Sequence, residues 1–468
     1  GYLHIGGART ALYCYLYAKA TAGTYVLRIE DTDQARSKIE YEDALIEDLK
    51  WLGITHTEGP DCPAVAGPYR QSERNNIYKK YSDQLISEGK AYPCFLTEEE
   101  LIVLTEKAES EKKAPHAYHG EYRRLDPSEA KKRIEAGESY VIRFKNPAKK
   151  VTFKDLVRGE VTFPEDMVGD FVIIRSNGLP VYNYCCVVDD YLMKMSHIIR
   201  AEDHLNNTCR QILLYNALGA ELPHFVHVSL LVGEDKQKLS KRHGATSVSK
   251  YKNMHYLPSA LMNYLCLLGW SHPEEKDIFD LETLGDTFTL ERFSKSPALY
   301  DIKKLNYFNE QHLRKLSVEE IDGYFSKVIP TDHPYHDQTK EWRLCFTELY
   351  TDKIQLFSDV LDFLPDVFTD TFSKDDNYND VITWETTRPL AKYLKSELEK
   401  LDDNSMPSKE LIDTWMTHLK KELKIKGKAL FMGTRIVLTG KNHGPDLKVL
   451  VSLTKVSTLV QRCSLALS

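Results

Sequence analysis

The chain has 468 residues, and 62 Lys and Arg residues against 69 Asp and Glu residues give a net charge of −7 with His counted as neutral. Its 42% hydrophobic and 28% charged residues exclude wholesale disorder, and no apolar run approaches the roughly 20 residues of a membrane helix. The acidic balance argues against a wholly basic nucleic-acid-binding protein, so a polyanionic partner would have to meet local basic patches. At roughly 100 to 200 residues per domain, this length predicts about three domains.

The N-terminal segment predicts helices that alternate with strands. Apolar spacing predicts a helix over residues 7–22, a strand over 24–30 and a second helix that ends at Gly53. This succession is typical of a parallel α/β domain, in which residues 1–6 form the loop before the first helix. Because the chain begins with Gly rather than Met, we expect the strand that should precede this loop to lie upstream of residue 1.

The pattern changes near residue 92 and again near residue 185. Between these points a polar stretch and short strand-like runs predict an α+β insertion, and the runs are residues 139–144, 149–153 and 170–176. The α/β pattern then returns, and its predicted elements are a strand over 180–190, a strand over 197–203, a helix over 208–220 and a strand over 227–233. Beyond about residue 250, nearly all of the sequence predicts helix.

The cysteines indicate a reducing compartment. There are nine, an odd number, with no Cys-x-x-Cys pair and no His at zinc-site spacing, which is typical of free thiols in a cytoplasmic protein. Since the start of the chain is expected to be missing, import into an organelle stays an open alternative.

The first candidate site is the stretch LHIGG, residues 3–7, at the start of the first helix. Free backbone amides and the positive end of the helix dipole attract phosphate, and small residues let a nucleotide approach closely. A His beside glycines is also common in surface turns, so this stretch alone does not decide between a phosphate site and a turn.

The second candidate site is the basic stretch LVGEDKQKLSKRHGATS, residues 231–247. Its basic side chains are Lys236, Lys238, Lys241 and Arg242, and Ser240 and Gly244 add a hydroxyl group and flexibility. A mobile cationic loop can neutralise the charge that develops on a departing pyrophosphate. The alternative is a solvated basic loop, which is what most runs of charge are.

Together, the two stretches resemble the His-Ile-Gly-His and Lys-Met-Ser-Lys-Ser signatures of class I aminoacyl-tRNA synthetases. Further segments are similar to glutamyl-tRNA synthetases of the bacterial type, among them LRIEDTDQAR, YRQSER, VDDYLM, HIIRAEDHLNNTCRQ and YLPSALMNYLCLLGW. The resemblance covers nearly the whole chain and is densest over residues 1–310. It implies a Rossmann-type catalytic domain with a parallel sheet, interrupted by an α+β insertion and followed by all-α C-terminal domains.

The resemblance also implies the domain order. We expect the catalytic domain in two halves, an acceptor-binding insertion between them, a stem-contact domain, and a helical anticodon-binding domain with two subdomains. In chain order the expected ranges are 1–92 and 185–245 for the catalytic halves, 93–184 for the insertion, 246–316 for the stem-contact domain and 317–468 for the anticodon-binding domain.

The reaction that the resemblance implies is the ATP-dependent ligation of L-glutamate to the 3′-terminal adenosine of tRNA(Glu) through a glutamyl-adenylate. Mg²⁺ is expected to enter with ATP rather than in a protein cage. A monomer that is not bound to a membrane is expected, and tRNA(Gln) stays open as a second substrate.

The implied roles fall on two groups of residues. The ATP-binding and catalytic group is His4, Gly6, Gly7, Lys238, Ser240 and Lys241. In the glutamate-binding group, Arg200 grips the side-chain carboxylate with two hydrogen bonds, Glu30 meets the ammonium group and Tyr182 lines the pocket. The alternatives are that Arg200 pairs with Glu202 or Asp203, that Glu30 belongs to a helix-capping cluster with Asp33, and that Tyr182 is a buried strand residue.

Three places depart from the family pattern. Cys186 stands where some relatives have a pocket asparagine, and it completes the predicted glutamate-binding group. Cys94 and Tyr122 stand where some relatives bind zinc, and since one thiolate cannot make a tetrahedral site, we expect no structural zinc. The expected upstream segment would supply a further arginine and serine to the glutamate.

For tRNA, the resemblance implies Arg36 at the acceptor end and Lys353, Lys424 and Lys426 in the helical region. Lys424 and Lys426 belong to a basic stretch, residues 418–435, that suits phosphate contacts or, alternatively, an amphipathic surface helix. Lys353 stands where relatives that accept only tRNA(Glu) use an arginine for the last anticodon base. Lysine lacks the planar fork, which is why discrimination between tRNA(Glu) and tRNA(Gln) stays open.

Four other protein classes share part of this pattern. A glutaminyl-tRNA synthetase would be expected to end in β-barrels, and a glutamyl-queuosine tRNA synthetase would lack the helical C-terminal third. A nucleotidyltransferase that does not act on tRNA would have no use for that third. A catalytically inert tRNA-binding paralogue is favoured only by the missing start.

Overall fold

The computed structural model describes residues 2–32, 37–111, 121–165, 167–240 and 247–468. The α-helices of this part are α1 (Ile5–Ala20), α2 (Ile39–Trp51), α3 (Asn75–Ser87), α4 (Glu98–Ser110), α5 (Pro127–Glu135), α6 (Tyr182–Leu192), α7 (Leu205–Leu218), α8 (Val248–Asn253), α9 (Pro258–Leu267), α10 (Ile302–Leu313), α11 (Val318–Val328), α12 (Lys340–Tyr350), α13 (Pro365–Phe368), α14 (Tyr378–Ile382), α15 (Thr387–Leu398), α16 (Lys409–Lys421), α17 (Gly427–Thr439), α18 (Leu447–Ser452) and α19 (Val456–Leu467). The strands are β1 (Ala91–Cys94), β2 (Val141–Phe144), β3 (Val151–Asp155), β4 (Gly159–Phe163), β5 (Phe171–Ile174), β6 (His197–Ala201), β7 (His224–Val228), β8 (Leu231–Val232) and β9 (Ala298–Leu299). None of the described helices is long and apolar enough to cross a membrane.

The chain folds into two compact units, and the first consists of residues 1–252 and 261–302. Its central sheet has the strand order β4-β3-β7-β6, in which β6 and β7 are parallel and the β3-β4 hairpin is antiparallel. The hairpin joins the parallel strands where Asp155 of β3 lies opposite Phe225 of β7. Strands β1, β2 and β5 form a separate antiparallel sheet. The Rossmann-type domain therefore has mixed sheets. The β3-β4 hairpin, which comes from the insertion, extends the parallel pair β7-β6 of the central sheet.

A shared apolar core holds α6 and α7 against the central sheet. Val187 and Val188 of α6, Leu214 of α7 and Phe225 of β7 are all buried in one cluster. Helix α7 ends at Gly219, whose φ of 65° is left-handed and favours glycine. This packing places the start of α6 and the end of β6 at one edge of the domain, where candidate site residues of both elements lie.

The prediction of a strand over 180–190 is wrong, because these residues form most of helix α6. Every side chain from Tyr184 to Asp189 is buried. An element that is buried on all sides shows neither helical nor strand periodicity, so the run of Cys and Val residues gave a misleading strand signal. Strands at 141–144, 151–155, 171–174 and 197–201 and the helix over 205–218 agree with their predictions.

The predicted strand over 24–30 is also wrong. Within the described residues, its backbone pairs through two isolated parallel bridges and no ladder, from Val26 to Glu58 and from Ile29 to Arg70. Since each partner is a short loop segment, the pairing does not extend into a ladder. Helix α1 begins at Ile5, before the predicted residue 7, and its C-cap is Thr21.

The second unit consists of residues 253–260 and 303–468, all of which the structure describes, and none of them lies in a strand. One apolar core of this unit includes Trp342, Phe346 and Tyr350 on one face of α12. The buried Arg462 of α19 donates hydrogen bonds to the carbonyl oxygens of Pro365, Asp366, Thr369 and Leu438. The all-α C-terminal region is therefore confirmed, while the expected domain boundaries stay a prediction.

Candidate active site

The start of α1 is built around His4, which caps the helix. Its Nδ1 accepts a hydrogen bond from the Gly6 N–H at 3.1 Å. Burial and the nearby Lys238 both lower the pKa of His4, so the imidazole is neutral and its Nδ1 can accept. Ser247 pairs with His4 through an isolated antiparallel bridge, which joins this loop to the last residue of the basic stretch.

Two buried side chains of α1 anchor this helix by hydrogen bonds to backbone carbonyl oxygens of other segments. The Arg9 guanidinium is 2% exposed and donates to the carbonyl oxygens of Leu268 at 2.8 Å and Ser229 at 2.5 Å. The Tyr13 hydroxyl donates to the same Leu268 oxygen at 2.7 Å. These side chains fix the helix N-terminus relative to the strand ends, and the sequence interpretation missed them because their partners are far away along the chain.

A cleft of about 1350 Å³ lies in the first unit beside α1, α6 and β6. The predicted site residues that line it are His4, Gly6, Gly7, Glu30, Tyr182, Cys186, Arg200 and Lys238. Ser240 does not line it. Lys241 and Arg36, together with Asp33, Arg242 and Gly244, lie outside the described residues. The cleft therefore brings together predicted residues from both the nucleotide group and the glutamate group.

In the cleft, the carboxylate of Glu30 is bound by the guanidinium of Arg28 and the thiol of Cys186. Its Oε1 lies 3.1 Å from Arg28 Nη2 and accepts a hydrogen bond from the Cys186 thiol at 3.3 Å. Burial and the nearby carboxylate of Glu30 raise the pKa of Cys186, so the thiol keeps its proton and donates. Among the described residues no donor reaches Oε2 of Glu30, which leaves that oxygen available to an ammonium group.

Arg28 is a site residue that the sequence interpretation missed. Its Nη1 donates to Asp190 Oδ1 at 2.8 Å. Burial by itself would lower the pKa of Arg28, but the carboxylates of Asp190 and Glu30 outweigh this effect and raise it well above its usual value. A signal was present, because residues i and i+2 of an extended segment share one side, which places Arg28 beside Glu30.

Arg200, at the end of β6, does not form the predicted alternative ion pairs. Its Nη2 donates to Thr208 Oγ1 and Gln211 Oε1, each at 2.7 Å, and its Nε donates to His227 Nε2 at 3.2 Å. In the part of the chain that the structure describes, no carboxylate forms an ion pair with this guanidinium.

The two acidic residues after Arg200 have other partners. Glu202 Oε2 lies 2.6 Å from Arg158 Nη2, and Asp203 forms an ion pair with Lys238. Burial alone would raise the pKa of Asp203, but the Lys238 ammonium group outweighs this effect and lowers it. Asp203 therefore holds Lys238, whose charge is close enough to His4 to lower the pKa of that imidazole.

Tyr182 is not the buried strand residue of the alternative interpretation. It is the first residue of α6, is 37% exposed and lines the cleft. Its hydroxyl lies 3.3 Å from Nδ1 of His204, another cleft residue that the sequence interpretation missed. Burial of the phenol raises its pKa, so the hydroxyl is neutral.

Cys94 and Tyr122, the two positions considered above for a zinc site, lie in aromatic packing. Cys94 is fully buried in β1, and the ring of the next residue, Phe95, lies 5.9 Å from the Tyr122 ring. The Arg133 guanidinium stacks over Phe95 at 4.2 Å. The expected absence of structural zinc stays a prediction.

Elsewhere in the described residues, a group with metal-ligand chemistry consists of His56, Asp61 and Cys62, whose ligand atoms lie within 4.8 Å of one another. His56 Nε2 lies 2.5 Å from Asp61 Oδ1, and Lys50 Nζ lies 3.3 Å from Oδ2 of the same carboxylate. The carboxylate is thus already paired, and the group does not line the cleft.

The predicted tRNA-binding lysines are exposed in the second unit. Lys353 ends a short 3₁₀ turn, and Lys424 and Lys426 lie between α16 and α17. The stretch 418–435 is therefore not one amphipathic helix. Arg435, in contrast, donates to the Pro445 carbonyl oxygen at 2.8 Å.

The chain matches two family models along its length. Residues 1–307 match the catalytic domain of class I tRNA synthetases (E and Q), and residues 309–464 match an anticodon binding domain. Glutamate–tRNA ligase 1 of Caldicellulosiruptor saccharolyticus is 43% identical over 472 residues, which cover 99% of this chain and 96% of that protein. The glutamate–tRNA ligase of Bdellovibrio bacteriovorus is 41% identical over 489 residues, which cover 100% of this chain and 96% of that protein.

Solved structures show the same likeness. A glutamate tRNA ligase from Elizabethkingia meningosepticum, solved in complex with its amino acid, superposes with a TM-score of 0.89 at 32% identity over 100% of this chain and 97% of that chain. The glutamate-tRNA synthetase of Elizabethkingia anophelis gives a TM-score of 0.88 at 32% identity with the same coverage. The chain belongs to the bacterial-type glutamate–tRNA ligases, which are class I aminoacyl-tRNA synthetases.

Proposed function

We propose that this chain ligates L-glutamate to the 3′-terminal adenosine of tRNA(Glu), using ATP and releasing AMP and pyrophosphate. The observation that carries the proposal is a cleft of about 1350 Å³ that is lined by Arg200 and Glu30 as well as by His4 and Lys238. One cleft thus offers groups for both a dicarboxylic amino acid and a nucleotide. Positioning and charge stabilisation are what this reaction requires, since it needs no covalent enzyme intermediate.

The glutamate end supplies two opposite charges. Arg200 donates three hydrogen bonds through its Nε and Nη2 atoms, and no described residue accepts from its Nη1. The Nη1 atom can therefore donate to the side-chain carboxylate of glutamate. Glu30 offers Oε2 to the ammonium group, while Arg28 and the Cys186 thiol hold Oε1. Tyr182 covers the aliphatic part of the substrate. With both ends of glutamate held, its α-carboxylate is left to react.

The chemical step needs cations at the phosphates. An oxygen of the α-carboxylate attacks the α-phosphorus of ATP, the bond to the bridging oxygen breaks, and the electron pair leaves with pyrophosphate. Lys238 supplies charge beside His4, and we assign Ser240 and Lys241 to the same phosphate chain because Lys238 and Ser247, which flank them, meet His4. The N-terminal amides of α1 at Gly6 and Gly7 add a positive dipole end. Mg²⁺ enters with ATP, bound by phosphate oxygens.

The second step transfers the glutamyl group to the terminal ribose hydroxyl of the tRNA, and the adenylate leaves as AMP. We assign the acceptor end to the region of Arg36, and tRNA phosphates to the exposed Lys424 and Lys426. Lys353 is assigned to the anticodon. The protein is expected to act as a monomer.

The amino-acid specificity tests this proposal. In exchange of labelled pyrophosphate into ATP with tRNA(Glu) present, glutamate should support the reaction, and glutamine should be at least about 100-fold worse because it brings no carboxylate to Arg200. Aspartate serves as the matched control, since it has both charges but is one methylene shorter. Equal exchange with glutamine would contradict the proposed use of Arg200, and exchange with an unrelated amino acid alone would contradict the function.

A further inference from the structure

Among the residues that the structure describes, the hydrogen-bond acceptors of the Arg200 guanidinium are all neutral. Thr208 and Gln211 accept from Nη2, and His227 accepts from Nε through its Nε2 atom at 3.2 Å. The Thr208 hydroxyl also lies 3.1 Å from His227 Nε2. Because a neutral acceptor fixes the guanidinium without cancelling its charge, this arrangement keeps Arg200 attractive to a carboxylate.

His227 can accept from Arg200 only in one protonation state. An imidazole nitrogen that accepts a hydrogen bond carries no proton, so the ring proton must be on Nδ1. That atom lies 2.7 Å from Oδ2 of Asp155, and both side chains are fully buried. Burial lowers the pKa of His227 more than Asp155 raises it, which agrees with a neutral ring.

Asp155 is itself held rigidly. Its Oδ1 accepts from the backbone N–H groups of Val157 at 2.9 Å and Arg158 at 2.7 Å, and its Oδ2 also accepts from the His227 N–H at 3.1 Å. The hydrogen bond from the His227 side chain, together with the backbone N–H groups of Arg158 and Val157, outweighs burial and lowers the pKa of Asp155, so the carboxylate is charged and accepts from His227 Nδ1. Asp155 is the last residue of β3, where this strand pairs with β7.

From this geometry we infer that Asp155 and His227 form a positioning pair for Arg200, which fixes the tautomer of His227 and thereby the orientation of the guanidinium that receives the glutamate side chain. The inference rests on the proposed function, because it deepens the role given to Arg200. His227 does not line the cleft and acts only through Arg200. No motif in the sequence interpretation included either member of the pair.

Two substitutions of His227 separate this role from a packing role. In His227→Gln the amide oxygen can reach the place of Nε2 and accept from Arg200, but the bond to Asp155 is lost. In His227→Asn the amide group can reach only the place of Nδ1, so the bond to Asp155 is kept and Arg200 Nε loses its acceptor. If His227 merely fills space and satisfies Asp155, Asn should be tolerated at least as well as Gln.

The positioning role predicts the opposite order. In pyrophosphate exchange, His227→Asn should raise the KM for glutamate at least about 10-fold, and His227→Gln should stay within about 3-fold of the unsubstituted protein. The KM for ATP should change less than about 3-fold in both variants, because neither touches the nucleotide end. An equal rise in the KM for glutamate, or a larger rise for Gln, would overturn the inference.

A measurement on the unsubstituted protein guards against variants that do not fold. Nitrogen-15 NMR of histidine-labelled protein at neutral pH should show His227 as the neutral tautomer with its proton on Nδ1. The His227 resonance is the one that is missing from the spectrum of whichever His227 variant folds. A proton on Nε2, or on both nitrogens, would overturn the inference. Absence of glutamate-dependent exchange by the unsubstituted protein would instead contradict the proposed function, and with it the role of the pair.

Discussion

Arg200→Ala is expected to raise the KM for glutamate by roughly 1000-fold in pyrophosphate exchange, because the side-chain carboxylate loses its only assigned cation in a partly buried site. The KM for ATP should change little, since His4 and Lys238 at the nucleotide end are untouched. Arg200→Lys should recover only part of the loss, because an ammonium group cannot donate to Thr208, Gln211 and a carboxylate in the same planar geometry.

The matched control for this variant is Arg175→Ala, which removes an exposed arginine of the same unit that does not line the cleft. It should leave both KM values unchanged. Thermal unfolding should show that Arg200→Ala is folded. Normal glutamate-dependent exchange by a folded Arg200→Ala protein would disprove the carboxylate assignment.

The second large effect is expected for Glu30→Gln, which should lower kcat/KM for glutamate by roughly 100-fold. The substitution keeps the size of the side chain but removes the negative charge that balances the substrate ammonium group. Arg28 still has Asp190 as a partner at 2.8 Å, so the cation beside the site does not become unpaired. The loss should therefore report on the substrate rather than on a collapsed pocket.

Inhibition by glutarate distinguishes a lost contact with the substrate ammonium group from a collapsed pocket. Glutarate carries both carboxylates of glutamate but no ammonium group. Its inhibition constant against glutamate should agree within about 3-fold between Glu30→Gln and the unsubstituted protein, if Glu30 meets only the ammonium group. Glu88→Gln, which changes a surface carboxylate outside the cleft, is the control for the charge change. Weaker glutarate inhibition in proportion to the loss of kcat/KM would show that Glu30 acts on pocket structure instead.

The parts of the fold and of the site that could be predicted are those marked by short stretches of neighbouring residues. The glycines after His4 and the basic stretch with Lys238 are short motifs at a helix start and after a strand, and the glycines and Lys238 line one cleft. The strand before Arg200 and the helix after it follow from apolar spacing and from Gly219. Such features depend on neighbours along the chain, which is the information that a sequence displays directly.

The partners of the site residues could not be predicted in the same way. Adjacency suggested that Arg200 pairs with Glu202 or Asp203, but those carboxylates bind Arg158 and Lys238, which lie far from them in the sequence. The anchors of α1 and the His227 network likewise join residues from separate elements. In α6 the failure had another cause, because complete burial from Tyr184 to Asp189 removed the periodicity on which a helix prediction depends.

The most direct test is charging of purified tRNA(Glu) and tRNA(Gln) with labelled glutamate by this protein in the presence of ATP and Mg²⁺. We expect ATP-dependent label on tRNA(Glu), and none on tRNA(Glu) whose terminal ribose has been oxidised with periodate, because that treatment destroys the accepting hydroxyls. Label on tRNA(Gln) as well would show that Lys353 does not exclude it, and would leave the reaction itself unchanged. Binding of tRNA(Glu) without any charging would contradict the account and favour an inert tRNA-binding protein.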